Sequence, residues 1–208
     1  RWLSRPARSS AWSLIIGPRP ADDAMRTMDE LADWLPPGSQ DGARAVLLAM
    51  LGQEYVVNHT GIILRGQKAP DTHEAVLLDY LFSSGTSYCA LPWRAIGDFS
   101  KRTSTDFRKR VELPLAQYVA EFLTRAGTML PLFDAVQTPS MIGSDMAITV
   151  RALPKVSLHV ELSQESQEFP AEVWVLFSNN AGDFLSGENL QLLAELFKDR
   201  LLSLLRIY

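Results

Sequence analysis

In the last third of the chain, apolar residues twice recur at every second position. Across residues 145–152, Met146, Ile148 and Val150 share one face; after Leu153-Pro154-Lys155, the residues Val156, Leu158, Val160 and Leu162 repeat the period. Such alternation predicts two half-buried strands joined by a short connection. A polar stretch, 163–168, leads to residues 172–177, where both faces are apolar, which predicts a central strand covered on both sides. Past Ser186, placed as an N-cap, Leu193, Leu196, Phe197, Leu201 and Leu204 return at helical spacing, so 190–205 reads as a helix laid on the sheet.

Upstream, helices alternate with short extended segments. Met25, Met28, Leu31, Ala32 and Leu35 predict a helix beginning near Asp22 and ended by Pro36-Pro37-Gly38. A second short helix is expected over 41–51, terminated by Gly52. Residues 55–57 and 62–64, separated by Asn58-His59-Thr60-Gly61, read as a β-hairpin. Asn58-His59-Thr60 is formally a glycosylation acceptor, but its plainer reading is the turn. Asp71 is placed as the cap of a helix through Phe82 with Ala75, Leu78, Leu81 and Phe82 on its apolar face. Ser104 or Thr105 opens another helix, kinked or restarted at Pro114 and ended by Gly127, before residues 130–133 lead to a loop over 138–143. The sum is one α+β domain over 21–208: a small antiparallel sheet led by the three C-terminal strands, packed against several helices, with the C-terminal helix on the sheet.

The run Ser144-Asp145-Met146-Ala147-Ile148-Thr149-Val150-Arg151-Ala152-Leu153-Pro154-Lys155, then Glu168-Phe169-Pro170-Ala171-Glu172, Val175-Leu176-Phe177 and Phe184-Leu185-Ser186-Gly187-Glu188-Asn189-Leu190 resembles the C-terminal half of an uncharacterised prokaryotic family, domain of unknown function 3786. Leu77-Leu78-Asp79-Tyr80-Leu81, Trp93-Arg94-Ala95-Ile96 and Asp106-Phe107 extend the resemblance upstream. It implies no activity. Some members of that family carry a cysteine-rich iron-sulfur segment, which this chain, with Cys89 alone, does not reproduce. It also departs from the family pattern at Glu161-Leu162, where an aromatic residue is expected.

Composition narrows the class. With 208 residues, 47% of them hydrophobic, the chain can bury one sizeable core. A formal charge of −4 gives no general attraction to nucleic acid or to an anionic membrane surface. The longest apolar run, 45–51, is seven residues, well short of the roughly 20 that cross a bilayer. A soluble protein, or one peripheral to a membrane complex, is expected.

Residues 1–20 form a separate tail with four arginines, four serines and no acidic residue. Arg-rich, Ser-rich, acid-poor leaders are typical of organelle import, so what remains of such a leader is one reading and a basic tail the other. Trp2, Trp12 and Ile15 are too apolar for a purely solvated segment, and Arg5 and Arg8 suit the rim of an interface. These five residues are the expected partner-binding set.

Candidate chemistry is sparse. One cysteine excludes an intrachain disulfide and a cysteine-only metal cage, and Cys89 is expected as a small buried hydrophobe. His59, His73 and His159 have no second ligand at helical spacing, so neither a metal nor an iron-sulfur cluster is predicted. Glu161 and Glu172, with Glu165 and Glu168 nearby, are placed on outward strand positions and the adjoining loop as a solvated acidic edge. Paired acids for acid-base work are the alternative. Lys101-Arg102 and Arg108-Lys109-Arg110 interleave with Phe99 and Phe107, a pattern that grips single-stranded nucleic acid, but Asp98, Asp106 and Glu112 dilute it and a solvated helical face is expected. Ser83-Ser84-Gly85-Thr86-Ser87 lacks the lysine and context of a phosphate loop.

The leading expectation is therefore a non-catalytic accessory subunit docking with protein subunits of a larger assembly, in an organelle such as a plastid or otherwise in the cytoplasm, and not with nucleic acid. The alternative is a binding module for a planar hydrophobic cofactor such as a tetrapyrrole, lined by Trp93, Trp174 or a Met and Phe cluster. An enzyme using the acids of the sheet edge comes third, and no catalytic residue is assigned.

Overall fold

The structure, a computed structural model, describes residues 45–58, 61–101 and 106–207. In chain order the strands are β1 (Ala45–Met50), β2 (Gln53–Asn58), β3 (Gly61–Leu64), β4 (Gln67–Lys68), β5 (Ala135–Thr138), β6 (Met146–Leu153), β7 (Val156–Ser163) and β8 (Glu172–Phe177); the α-helices are α1 (Asp71–Leu81), α2 (Leu113–Ala116), α3 (Val119–Met129) and α4 (Gly187–Ile207). The strands form two antiparallel four-stranded sheets, each ordered as its strands follow in the chain. The class is α+β.

The C-terminal sheet contains the three strands that the alternation predicts. Met146 pairs with Leu162 and the register runs on to Leu153 and Val156, which puts Ile148, Val150, Leu158 and Val160 into the core. The strand expected to be central, β8, is instead an edge, paired with β7 alone among the named strands. Its apolar outer face is explained by Trp174, which is 44% exposed. The strand covered on both faces is β7. Beyond β8, the backbone of Arg94 exchanges two hydrogen bonds with Phe177 (2.8 and 2.9 Å), and Glu112 Oε1 accepts from the Val175 N–H at 3.1 Å. These contacts blunt an edge that would otherwise template further pairing. Burial pushes the Glu112 carboxyl above its ordinary value, opposed by the Val175 N–H and Arg108 and reinforced by Glu172. The fourth strand, β5, is not legible in the sequence, because it is four residues long and only Ala135 is buried.

In the N-terminal sheet the predicted hairpin forms, with Tyr55 opposite Leu64 and Asn58 opposite Gly61; its turn residues 59 and 60 lie outside the described set. The helix expected over 41–51 is overturned: 45–50 is strand β1, with Val46, Leu48 and Met50 buried and Ala45, Leu47 and Ala49 exposed. A short apolar run of good helix formers does not declare its period, and pairing with β2 decides it. The connection, Leu51-Gly52, has φ of +51° and +74°, the mirror-image turn that matches strand twist.

Helix α1 begins at Asp71 but is capped by Pro70, not Asp71, and it buries Val76, Leu77 and Tyr80 while Ala75 is exposed. The larger side chains win the core, and Tyr80 stacks on Phe184 at 5.3 Å. Pro114 sits in the first turn of α2 directly after a π turn, Arg108–Glu112, which widens the helix where the ring would collide with the turn before it. Gly127 does not end α3. The helix runs to Met129 and on through a 3₁₀ turn to Asp134, whose φ of +52° supplies the left-handed stop.

Ser186 caps α4 as expected, accepting from the Asn189 N–H at 3.3 Å. The α4 stripe of Leu190, Leu193, Ala194, Phe197, Leu201 and Leu205 is buried in one contiguous apolar cluster with both sheets. Phe197 meets Phe133 edge-on at 5.4 Å, and the Leu51 N–H donates to Ala152 O at 2.8 Å, tying the turn of one sheet to a strand of the other.

Candidate functional site

Between the core-facing leucines and valines of β7 stand Ser157, His159 and Glu161. They are 4%, 1% and 1% exposed, so Glu161, expected in a solvated acidic edge, is buried instead. Buried polar groups must be paired, and these form a row across three strands. Thr138 Oγ1 lies 3.3 Å from Thr149 Oγ1, Thr149 Oγ1 lies 3.4 Å from His159 Nδ1, and His159 Nε2 lies 3.0 Å from Glu161 Oε1. Glu161 also accepts from the Met141 N–H at 2.7 Å and from the Ser144 hydroxyl. Burial alone would raise the Glu161 carboxyl, but the hydrogen bonds from Ser144, Met141, His159 and Ser140 outweigh it and hold the pKa at about 2. A charged carboxylate only accepts, so Nε2 of His159 carries a proton, and in the neutral ring Nδ1 accepts from Thr149.

Two segments close over this row. Residues 139–145 are pinned by Glu161 and by Ser140, whose Oγ accepts from Ile142 and Ser144 N–H groups at 3.2 and 2.8 Å. Residues 86–94 run over the other end. Trp93 stacks on His159 at 5.0 Å and 17°, the Tyr88 hydroxyl donates to Ser157 Oγ at 3.1 Å, and Asn180 Nδ2 donates to Ser87 O and Lys155 O at 2.8 and 2.9 Å.

The covered row has an apolar rim. Tyr88, Leu91, Val136, Met141, Ile142 and Trp174 are each between 44% and 64% exposed, and they belong to the covering segments or to β5 and β8 beside it. Trp174 stands opposite Glu161 and Val136 opposite Thr149 in the strand registers. Isolated exposed apolar residues are ordinary, whereas six around one sheet face form a patch. Tyr88, Val136, Thr149, Arg151 and Ser157 also bound a cleft of about 380 Å³ on this face.

The residues singled out in the sequence are distributed as follows. Trp2, Arg5, Arg8, Trp12 and Ile15 lie outside the described residues, as does Arg102. Cys89 is exposed, not buried, with its thiol directed to Leu91 O at 3.3 Å. Glu165 and Glu168 are exposed and apart from the row, and Glu172 pairs with Arg108 at 3.3 Å. Phe107 is buried and Phe99 half-buried, both against Phe177 at 6.0 Å; the Arg94 guanidinium lies over the Phe99 ring at 5.0 Å, and of the basic residues Arg110 pairs with Glu195. In the loop 83–87 the carbonyls of Thr86 and Ser87 are already used by Lys155 and Asn180, and a side chain at Gly85 would strike Phe184. Trp93 and Trp174 do reach one sheet face, but one face of Trp93 is taken by His159. Among the described residues no three His, Cys, Asp and Glu side chains are grouped to hold a metal ion, and no helix is long and apolar enough to cross a membrane.

The signal missed in the sequence is the polar member of every alternate position in β7, Ser157, His159 and Glu161. A family model described as Domain of unknown function (DUF3786) matches residues 35–200. That span holds both sheets, the polar row and most of α4. No curated protein and no solved structure matches the chain.

Proposed function

The chain belongs to the DUF3786 family, and from that premise we propose that it is a non-catalytic interaction subunit, docking a partner protein on the outer face of its C-terminal sheet. The observation that carries this reading is the apolar rim of Tyr88, Leu91, Val136, Met141, Ile142 and Trp174 around a floor of mutually satisfied polar groups. Interfaces gather aromatic and Met side chains at a desolvated centre, and a floor already hydrogen-bonded within itself asks nothing polar of the partner. Trp2, Arg5, Arg8, Trp12 and Ile15 supply, by their composition, a second anchor for the same assembly. The test is recovery of the native chain with whatever co-purifies. Ile142→Arg with Trp174→Arg should release the partner without shifting the melting temperature, while Leu47→Arg, exposed on the other sheet, should retain it. A double variant that keeps the partner defeats the assignment of the face.

One observation favours a second reading. Thr149, His159 and Glu161 stand in the order hydroxyl, imidazole, carboxylate, and Thr149 borders the 380 Å³ cleft. In an acyl-transfer enzyme these are nucleophile, base and orienting acid. Turnover of p-nitrophenyl esters that vanishes in Thr149→Val would support it, and equal rates in parent and variant would retire it.

A further inference from the structure

We propose that the cleft between the turns of the N-terminal sheet and α4 binds a phosphate monoester through Arg65 and Arg200. This cleft, about 320 Å³, shares no residue with the docking face, so either proposal can fail alone. Its apolar lining includes Met50, Leu51, Leu196 and Leu204, and its polar lining includes Tyr55, His73 and the two arginines.

Arg200 is set in place by its surroundings. One Nη donates to Leu132 O at 2.9 Å, the guanidinium lies 5.3 Å over the Phe133 ring, and Nε is buried without a partner. A buried donor left unmade is costly. Arg65 is placed at a cost. It is the first residue of the two-residue Arg65-Gly66 turn between Leu64 and Gln67, with φ of +52°, a position that Asn, Asp or Gly fills with less strain.

Neither arginine forms an ion pair among the described residues, and the carboxylate at the rim, Asp199, is engaged by Lys198 at 2.9 Å. Burial lowers the Arg200 pKa and the neighbouring Arg65 cation lowers it further, opposed by Tyr55. The fully buried Tyr55 hydroxyl, pushed up to about 12 by burial, stays protonated and shares a hydrogen bond of 2.8 Å with His73 Nδ1. In the tautomer whose Nδ1 accepts from Tyr55, His73 Nε2–H is a third donor. Burial and then Arg200 hold His73 below its ordinary value, so the ring adds no further charge at neutral pH. Two guanidiniums that form no ion pair among the described residues, with the His73 imidazole beside them, match a dianion with three terminal oxygens better than a monoanionic carboxylate. The apolar lining takes the organic part of the ester.

The probes are phenyl phosphate, inorganic phosphate and benzoate, titrated into the full chain by calorimetry at constant ionic strength. Phenyl phosphate should bind saturably, inorganic phosphate more weakly and benzoate least. Arg65→Asn should melt at or above the parent, because Asn suits the left-handed turn, yet lose roughly tenfold or more in phenyl phosphate affinity. Arg200→Lys, which keeps the charge and removes Nε, should also weaken binding. The proposal is overturned if phenyl phosphate shows no saturation below roughly 10 mM, if benzoate binds as tightly, or if Arg65→Asn binds like the parent.

Discussion

Glu161 accepts from Met141, Ser144 and His159 while fully buried, so the loop over 139–145 and the β7 imidazole depend on one carboxylate. Glu161→Ala strands those donors, and breaking a buried charged network in this way costs about 3–5 kcal/mol. A urea melt within 1 kcal/mol of the parent, by the same order-of-magnitude scale, would show that the loop is held by other contacts. The pH dependence has a definite sign. The folded carboxyl titrates near 2 and the ordinary value is 4.5, so its contribution is complete above about 4.5 and is lost as pH falls toward 2. Glu161→Gln should therefore be less stable than the parent at neutral pH, with a flatter stability profile between pH 2 and 4.5. Profiles of equal slope in that window would remove Glu161 from the acid response.

At the scale of elements, α4 is held by its stripe. Phe197, 1% exposed and edge-on to Phe133, fills space between helix and sheets, and Phe197→Ala should cost about 3–5 kcal/mol. Denaturation near the parent midpoint would contradict that packing. Two of the hairpin turns of the N-terminal sheet separate strain from collision. Gly52 and Gly66 have φ of +74° and +79°, but a Cβ at Gly52 would run into Leu132 O whereas Gly66 faces open space. Gly66→Ala should lose about 1 kcal/mol, from the backbone alone. Gly52→Ala should lose about 1–3 kcal/mol more, because Leu132 must also shift. Equal losses in the two variants would mean that the close approach of Gly52 to Leu132 relaxes freely.

For the whole molecule, the decisive fact is that one contiguous apolar cluster takes in residues of both sheets and the helices. Two sheets sharing a core, with Leu51 bonded to Ala152 across them, should unfold together. Scanning calorimetry is expected to give one transition with equal calorimetric and van't Hoff enthalpies. Two resolved transitions would assign each sheet a core of its own. The apolar rim on the C-terminal sheet lies outside this cooperative core, which is why its substitution is expected to leave the melt unchanged.

Residues 146–162 and the α4 stripe carried their own answer. Alternation and helical spacing are properties of neighbours along the chain, and burial on one face follows from them whatever packs there. The Ser186 cap and the β2–β3 hairpin were legible for the same local reason. What tertiary structure alone decided was every feature set by a partner distant in sequence. Pairing with β2 made a strand of residues 45–50, and pairing of β8 with β7 alone turned an apolar strand into an edge. Segments 86–94 and 139–145 closed over His159 and Glu161, so residues that a period of two assigns to solvent became a buried charged row. Period reports which side chains share a face, but whether that face meets water depends on what the rest of the chain lays across it.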